Sequence, residues 1–294
     1  MADLFTATTA AEVEEALARR KKIDALEGTP PLSPLLSAIK RGELEVVDCL
    51  LNHGANFTRV VGPWCPLQWA AWEGHAAIVE RLIKAGAGIN DNQQGRESTA
   101  LILASHQGHV DVMDCLLSLG ADTEAKDRSG ETALMMACQE GRVDVVDLLL
   151  AAGANVNVQD KRNVSALMWA AKRDHLSIVD RLVVYGADFN HQDNGGENAL
   201  MWACLSDRIE LVDRLLSLGC DVDLKNNEGW TALMMTCSTG RRKDIVQLLL
   251  DHGANPSICN NNRERAIDLA VASAEIRNLL NGLILFPLSS CLLR

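Results

Sequence analysis

Apolar positions return along this chain in one fixed arrangement. A phrase opening on a small polar residue recurs as Thr99-Ala100-Leu101-Ile102-Leu103-Ala104-Ser105, as Thr132-Ala133-Leu134-Met135-Met136-Ala137-Cys138 and as Ser165-Ala166-Leu167-Met168-Trp169-Ala170-Ala171. Each is followed by a second apolar run, for example Val143-Asp144-Val145-Val146-Asp147-Leu148-Leu149-Leu150. Wound as a helix, that run collects its apolar side chains on one face and leaves both aspartates outside it. The anchoring leucines are Leu35, Leu67, Leu101, Leu134, Leu167, Leu200 and Leu233, so the steps are 32, 34, 33, 33, 33 and 33. Gly54, Gly86, Gly120, Gly153, Gly186, Gly219 and Gly253 keep the same beat.

Each period predicts two short helices. The first opens on Ser33, Thr99, Thr132, Ser165, Asn198 or Thr231, whose side-chain oxygens accept from an otherwise unpaired amide of a first turn. Pro34 and Pro66 follow such a position, where a missing N–H costs nothing. The helix stops at Gly42, Gly74, Gly108, Gly141 and Gly240, with Asp174 and Asp207 in that place in two repeats. Glycine enters the left-handed conformation freely and aspartate tolerates it better than most, so those two corners are expected to be weaker but present. A helix pair this short cannot enclose its own apolar face, and neighbours must stack into one shared core.

The 33-residue period, the recurring phrase, the Asp127-Arg128-Ser129-Gly130-Glu131-Thr132 turn and the pairs Gly74-His75 and Gly108-His109 resemble the ankyrin-repeat family. The resemblance implies an all-α ankyrin-repeat solenoid of about seven full repeats with degenerate capping repeats at both ends. It places a degenerate N-terminal cap at 1–31, the repeat domain at 32–281 and an apolar tail of unknown role at 282–294. One departure stands out: the histidine of the family phrase is Gln68, Ile102, Met135, Met168, Met201 or Met234, which exchanges a polar link between repeats for apolar packing. The N-terminal cap is expected to hold a helix over 10–21, acids early and basic residues late, to match the helix dipole. Thr29-Pro30-Pro31 then breaks the chain.

Composition narrows the function. With 28 basic and 39 acidic residues the net charge is −11, which repels phosphate backbones and argues against nucleic acid as a partner. No stretch reaches the ~18 uninterrupted apolar residues of a membrane span, and the N-terminal segment lacks the apolar stretch of a signal peptide. A cytoplasmic setting is expected, with the nucleus also open. The nine cysteines contain no CxxC pair, so neither a metal site nor a disulfide framework is expected. Cys138, Cys204 and Cys237 occupy a slot that elsewhere holds Ala71, Ser105 and Ala171, which predicts small, buried, reduced packing residues. No GxSxG, HExxH, P-loop or GxGxxG motif occurs. The histidines keep repeat phase, which sets them in separate layers rather than around one reacting point. No catalytic residue, cofactor or metal is expected.

What remains is recognition. In the family, turn fingers and the exposed face of the first helices make a concave surface that docks a protein segment. By that resemblance the contact positions on first helices are Lys40-Arg41, Trp72-Glu73, His106-Gln107, Gln139-Glu140, Lys172-Arg173, Leu205-Ser206 and Ser238-Thr239. The finger positions include Arg128, Ser129, Glu131, Lys161, Arg162, Asn194, Asn227, Glu228 and Trp230. Tryptophan and arginine lead among binding hot spots, so Trp72, Glu73, Arg128, Glu131, Lys172, Arg173 and Trp230 are the candidate partner contacts, complemented by an acidic and aromatic segment. The competing reading for both tryptophans is packing on the neighbouring repeat. Acids recurring on the second helices, such as Asp111, Asp114, Asp144 and Asp147, read as a solvated face. The function expected is a protein-binding adaptor or scaffold. The alternative is the regulatory ankyrin-repeat arm of a larger signalling, channel or ubiquitin-ligase protein. Partner identity and oligomeric state stay open.

Overall fold

The computed structural model describes residues 3–19, 22–26, 32–60, 62–92, 98–206 and 208–285, with side chains described to 282. Thr29-Pro30-Pro31, Asp207, Cys291 and most of the apolar tail lie outside the described residues. The chain divides into two compact units, Met1–Asn155 and Val156–Arg294.

The first unit holds α1 (Ala10–Ala18) and four helix pairs. These are α2 (Pro34–Arg41) with α3 (Leu44–Asn52), α4 (Pro66–Glu73) with α5 (Ala76–Lys84), α6 (Ala100–Gln107) with α7 (Val110–Ser118), and α8 (Ala133–Glu140) with α9 (Val143–Ala151). The second unit holds α10 (Ala166–Arg173) with α11 (Leu176–Val184), α12 (Ala199–Leu205) with α13 (Ile209–Ser217), α14 (Ala232–Thr239) with α15 (Lys243–Asp251), and a closing pair, α16 (Ala266–Leu269) with α17 (Ala274–Leu285). Within each unit, first helices stack on first helices and second on second. The described residues form no strand, only isolated bridges such as Gln159 with Ser165 and Cys259 with Arg265.

The sequence punctuation acts as expected. Ser33, Thr99, Thr132, Ser165, Asn198 and Thr231 each accept from the amide three residues on, and each such cap contributes about 1 kcal/mol. All seven anchoring leucines are buried, at about 1.5–3 kcal/mol apiece. Cys138, Cys204 and Cys237 are buried among them, outside any disulfide. Gly42, Gly74, Gly108, Gly141 and Gly240 are left-handed C-caps, and Asp174 adopts the same conformation at φ 65°. α1 is shorter than expected and ends at Ala18, opened by Thr9 and Glu12, which bond reciprocally across its first turn.

Two inter-repeat devices explain residues whose purpose was obscure. A Cβ on Gly74 would lie 2.7 Å from the His109 ring, because that imidazole reaches back to donate from Nε2 to the Trp72 carbonyl at 2.9 Å. Arg142 does the same from Nε to the His106 carbonyl at 3.1 Å. Orphan carbonyls at the end of one helix are thus satisfied by the next repeat. At Gln68 the polar link is kept after all: its amide donates to the Ser98 carbonyl at 2.6 Å and accepts from the Cys65 N–H at 2.8 Å. Ile102, Met135, Met168, Met201 and Met234 are the buried apolar replacements.

The fingers are built by Asp or Asn at a fixed place. Asp127, Asp160, Asp193, Asn226 and Asn260 each accept, through Oδ1, from the amides two and four residues on. Each also donates its own N–H to the carbonyl four residues on. The turn closes through a left-handed residue: Gly130, Asn163, Gly196, Gly229 or Arg263.

Candidate functional site

In the first unit, aromatic rings and charges from successive first helices, with Trp64 from just before α4, meet in succession. Lys40 Nζ stands 3.7 Å from the centre of the Trp69 ring. Trp69 meets Trp64 edge to face at 4.8 Å, Trp64 meets Trp72 at 4.9 Å, and Trp72 stacks on His106 at 5.3 Å. His106 Nε2 lies 3.9 Å from Glu140 Oε1, an ion pair when the imidazole is protonated. Trp72 is therefore half-buried between two rings, and packing on the neighbouring repeat accounts for much of its surface. Glu73, the last residue of α4, is half-buried, whereas Arg128 is exposed on the 127–131 finger and Glu131 is half-buried at its base.

In the second unit, α10 and α12 bring Trp169 and Trp202 together edge to face at 5.9 Å. Lys172 Nζ stands 4.6 Å from the Trp202 ring centre and 5.3 Å from that of Trp169, and the Arg162 guanidinium lies 5.0 Å from Trp169. Such cation–ring contacts are worth about 0.5–1 kcal/mol at exposed sites. The Trp202 indole N–H donates to Glu197 Oε2 at 2.9 Å. Burial pushes the Glu197 carboxyl above its ordinary range, the charges of Asp193 and Glu228 push the same way, and the bond from Trp202 and the charge of Lys172 pull it down.

Glu197 and Leu205 line two adjoining cavities. One, of about 150 Å³, also touches Lys172, Trp202 and Ser206. The other, of about 540 Å³, runs between two fingers and is walled by Glu197, Leu205, Glu228, Trp230, Met235 and Ser238. Leu205 is 48% exposed. The structure thus brings Lys172 and Trp230 onto neighbouring parts of one groove, while Arg173 is exposed beside it at the end of α10. The surroundings of Trp230 are acidic, opposite in sign to the basic surface that Lys172 and Arg173 suggested.

Asn194 and Asn227 are not free finger positions. Asn194 donates its side-chain amide to the Lys161 carbonyl at 3.2 Å, Asn227 to the Asn194 carbonyl at 2.8 Å and Asn261 to the Asn227 carbonyl at 2.9 Å. Their backbone amides bond to Arg162, Gly195 and Glu228 carbonyls, so these side chains tie finger to finger. Sequence reasoning missed Glu197 and Trp64. Glu197 had a signal, since it and Trp230 hold the same finger slot one 33-residue step apart.

Among the described residues no helix is long and apolar enough to cross a membrane, and no three His, Cys, Asp or Glu side chains cluster as a metal site. The family model "Ankyrin repeats (3 copies)" matches residues 11–93, 77–160, 153–226 and 209–284. The crystal structure of the human ASB11 ankyrin repeat domain aligns with a TM-score of 0.66 and 28% identity, covering 74% of this chain and 97% of that one. Ankyrin repeat and SOCS box protein 2 of Bos taurus is 33% identical over 100 residues, 34% of this chain and 16% of that protein. Ankyrin repeat and SOCS box protein 6 of Pongo abelii is 36% identical over 100 residues, 33% of this chain and 24% of its own. The probable E3 ubiquitin-protein ligase XBOS32 of Oryza sativa is 34% identical over 97 residues, 32% and 19% respectively. The matched region is thus a quarter or less of each of these relatives. The period, the helix pairs, the fingers and the family match converge: the chain belongs to the ankyrin-repeat family, an all-helical repeat fold that mediates binding between proteins.

Proposed function

We propose that this chain is a protein-binding adaptor or scaffold of the cytoplasm, or of the nucleus, that docks an extended segment of a partner protein along its fingers and first helices. The observation that carries this is the groove of the second unit, where exposed Leu205, half-buried Trp230 and the Lys172–Trp202–Glu197 cluster lie together. An apolar anchor beside a few oriented charges is the composition of an interface centre. Arg173 extends that surface. Trp72, Glu73, Arg128 and Glu131 offer a second one in the first unit. None of the eight described cysteines forms a disulfide, which suits a reducing compartment.

A second reading draws on the relatives: two are named for a SOCS box joined to ankyrin repeats and one as a probable E3 ubiquitin-protein ligase. On it, the chain is the partner-holding arm of a larger ubiquitin-ligase assembly. Affinity capture with the full chain, with Trp230→Ala and with Asp144→Lys/Asp147→Lys tests the site, after thermal melting shows each variant folded. The proposal expects specific partners to be lost with Trp230→Ala and kept with the reversed aspartates. The opposite pattern refutes it, and a captured ubiquitin ligase whose binding survives all substitutions in the groove favours the second reading.

A further inference from the structure

Trp69, Trp169 and Trp202 each carry a cation of the chain itself: Lys40 over the first, Arg162 and Lys172 over the second, Lys172 over the third. Trp230 has none among the described residues. Instead its groove holds two carboxylates, those of Glu197 and Glu228, and no lysine or arginine lines it. Lys172 Nζ stands over its two indoles while its charge also reaches Glu197, and Lys225 Nζ donates to the Cys259 carbonyl at 2.9 Å. Leu205 and Met235 add apolar wall.

We propose that the Trp230 groove recognises a basic side chain, arginine foremost, projecting from the partner's docked segment. This rests on the docking function proposed above and names the chemistry of its partner. An indole face attracts a cation through the ring quadrupole, and two carboxylates complement a planar guanidinium that donates from both edges. The aliphatic stem of arginine fits the Leu205 and Met235 side chains, since long basic residues bury their methylenes while the head stays polar. Burial raises the Glu197 carboxyl, the Asp193 and Glu228 charges add to it, and the Lys172 charge offsets them only in part, so an incoming cation relieves repulsion that remains in the free protein. Glu197 keeps one oxygen on the Trp202 N–H, which fixes the carboxylate before the ligand arrives.

The test uses the 15N-labelled full chain and two probes, Nα-acetyl-arginine amide and its uncharged counterpart Nα-acetyl-citrulline amide. The Trp230 indole signal is assigned by its loss in Trp230→Phe. The arginine probe is expected to move that signal and the Glu197 and Glu228 amides saturably, while citrulline at equal concentration leaves them in place. Glu197→Gln/Glu228→Gln, which preserves the acceptor for Trp202, should weaken the arginine probe about tenfold, and Asp213→Asn on α13 should not. Equal shifts from both probes, no shift from either, or full binding by a correctly melting double variant overturns the proposal. A displayed random peptide library separates it from the docking reading. Selected peptides that need Trp230 but carry no basic residue overturn this inference and leave docking intact. Enrichment of arginine at one position, lost in the double variant, supports both. An arginine probe that binds while no peptide engages the groove keeps the pocket chemistry and removes the docking reading.

Discussion

Replacing Asp160 by alanine removes the acceptor around which one finger is wound. The Asp160 side chain is fully buried. Its Oδ1 accepts from Arg162 N at 2.7 Å and from Val164 N at 2.9 Å, and Val164 is itself buried. Stranding a buried amide costs about 1–3 kcal/mol and bonds to a charged acceptor fall at the upper end, so the pair amounts to about 3 kcal/mol. The ion pair with Arg162, 3.0 Å long but with that side chain 56% exposed, adds only about 0.5 kcal/mol. Asp160→Asn should therefore cost 1 kcal/mol or less, roughly the lost charge, because Asn226 and Asn260 hold the same turn with bonds of 2.8–3.0 Å. Repeat arrays unfold in pieces as well as all at once. Urea unfolding gives the global effect, and amide exchange at Val164 gives the local one, where about 3 kcal/mol corresponds to roughly a hundredfold faster exchange. If Asp160→Asn destabilises as much as Asp160→Ala, or if alanine costs under about 1 kcal/mol, the finger is not held by these two bonds.

Further substitutions follow from the same contacts. Gly196→Ala should lower the melting temperature more than Gly219→Ala: both glycines have positive φ, but a Cβ on Gly196 would lie 2.6 Å from the Asn227 backbone N and one on Gly219 meets open space. Equal losses would mean that the finger-to-finger approach is loose. Burial raises the Cys237 thiol from 9.0 to about 12, so between those values the unfolded chain releases a proton that the folded chain keeps, and stability falls as pH rises. That contribution is complete below 9.0, and Cys237→Ala should shrink the alkaline loss in melts recorded across the window. Iodoacetamide on the native chain should label exposed Cys259 well before buried Cys138 and Cys237, as read by peptide mass mapping; the reverse order would place the core thiols wrongly.

Local signals made the helices legible. A cap such as Thr132 bonds three residues away and a corner such as Gly141 turns on its own φ, so a short stretch of sequence contains both ends of the interaction. The site was harder to read because its partners are a repeat apart. Asn194 and Asn227 looked like variable finger residues, yet their bonds run to Lys161 and Asn194, 33 positions back. Trp72 resembled an exposed anchor until Trp64 and His106 were seen against it. Trp230 lines a groove whose electrostatic surroundings depend on Glu197 from the preceding finger, which the 33-residue phase contained and which only the stacked fingers assemble.

The central claim, that a protein segment docks in the groove of the second unit, is tested most directly by amide exchange of the full chain with and without its captured partner. The account predicts protection in the 193–197 and 226–230 fingers and at the ends of α12 and α14. Protection confined to the second helices α13 and α15, where Asp213 and Asp244 lie, would contradict it.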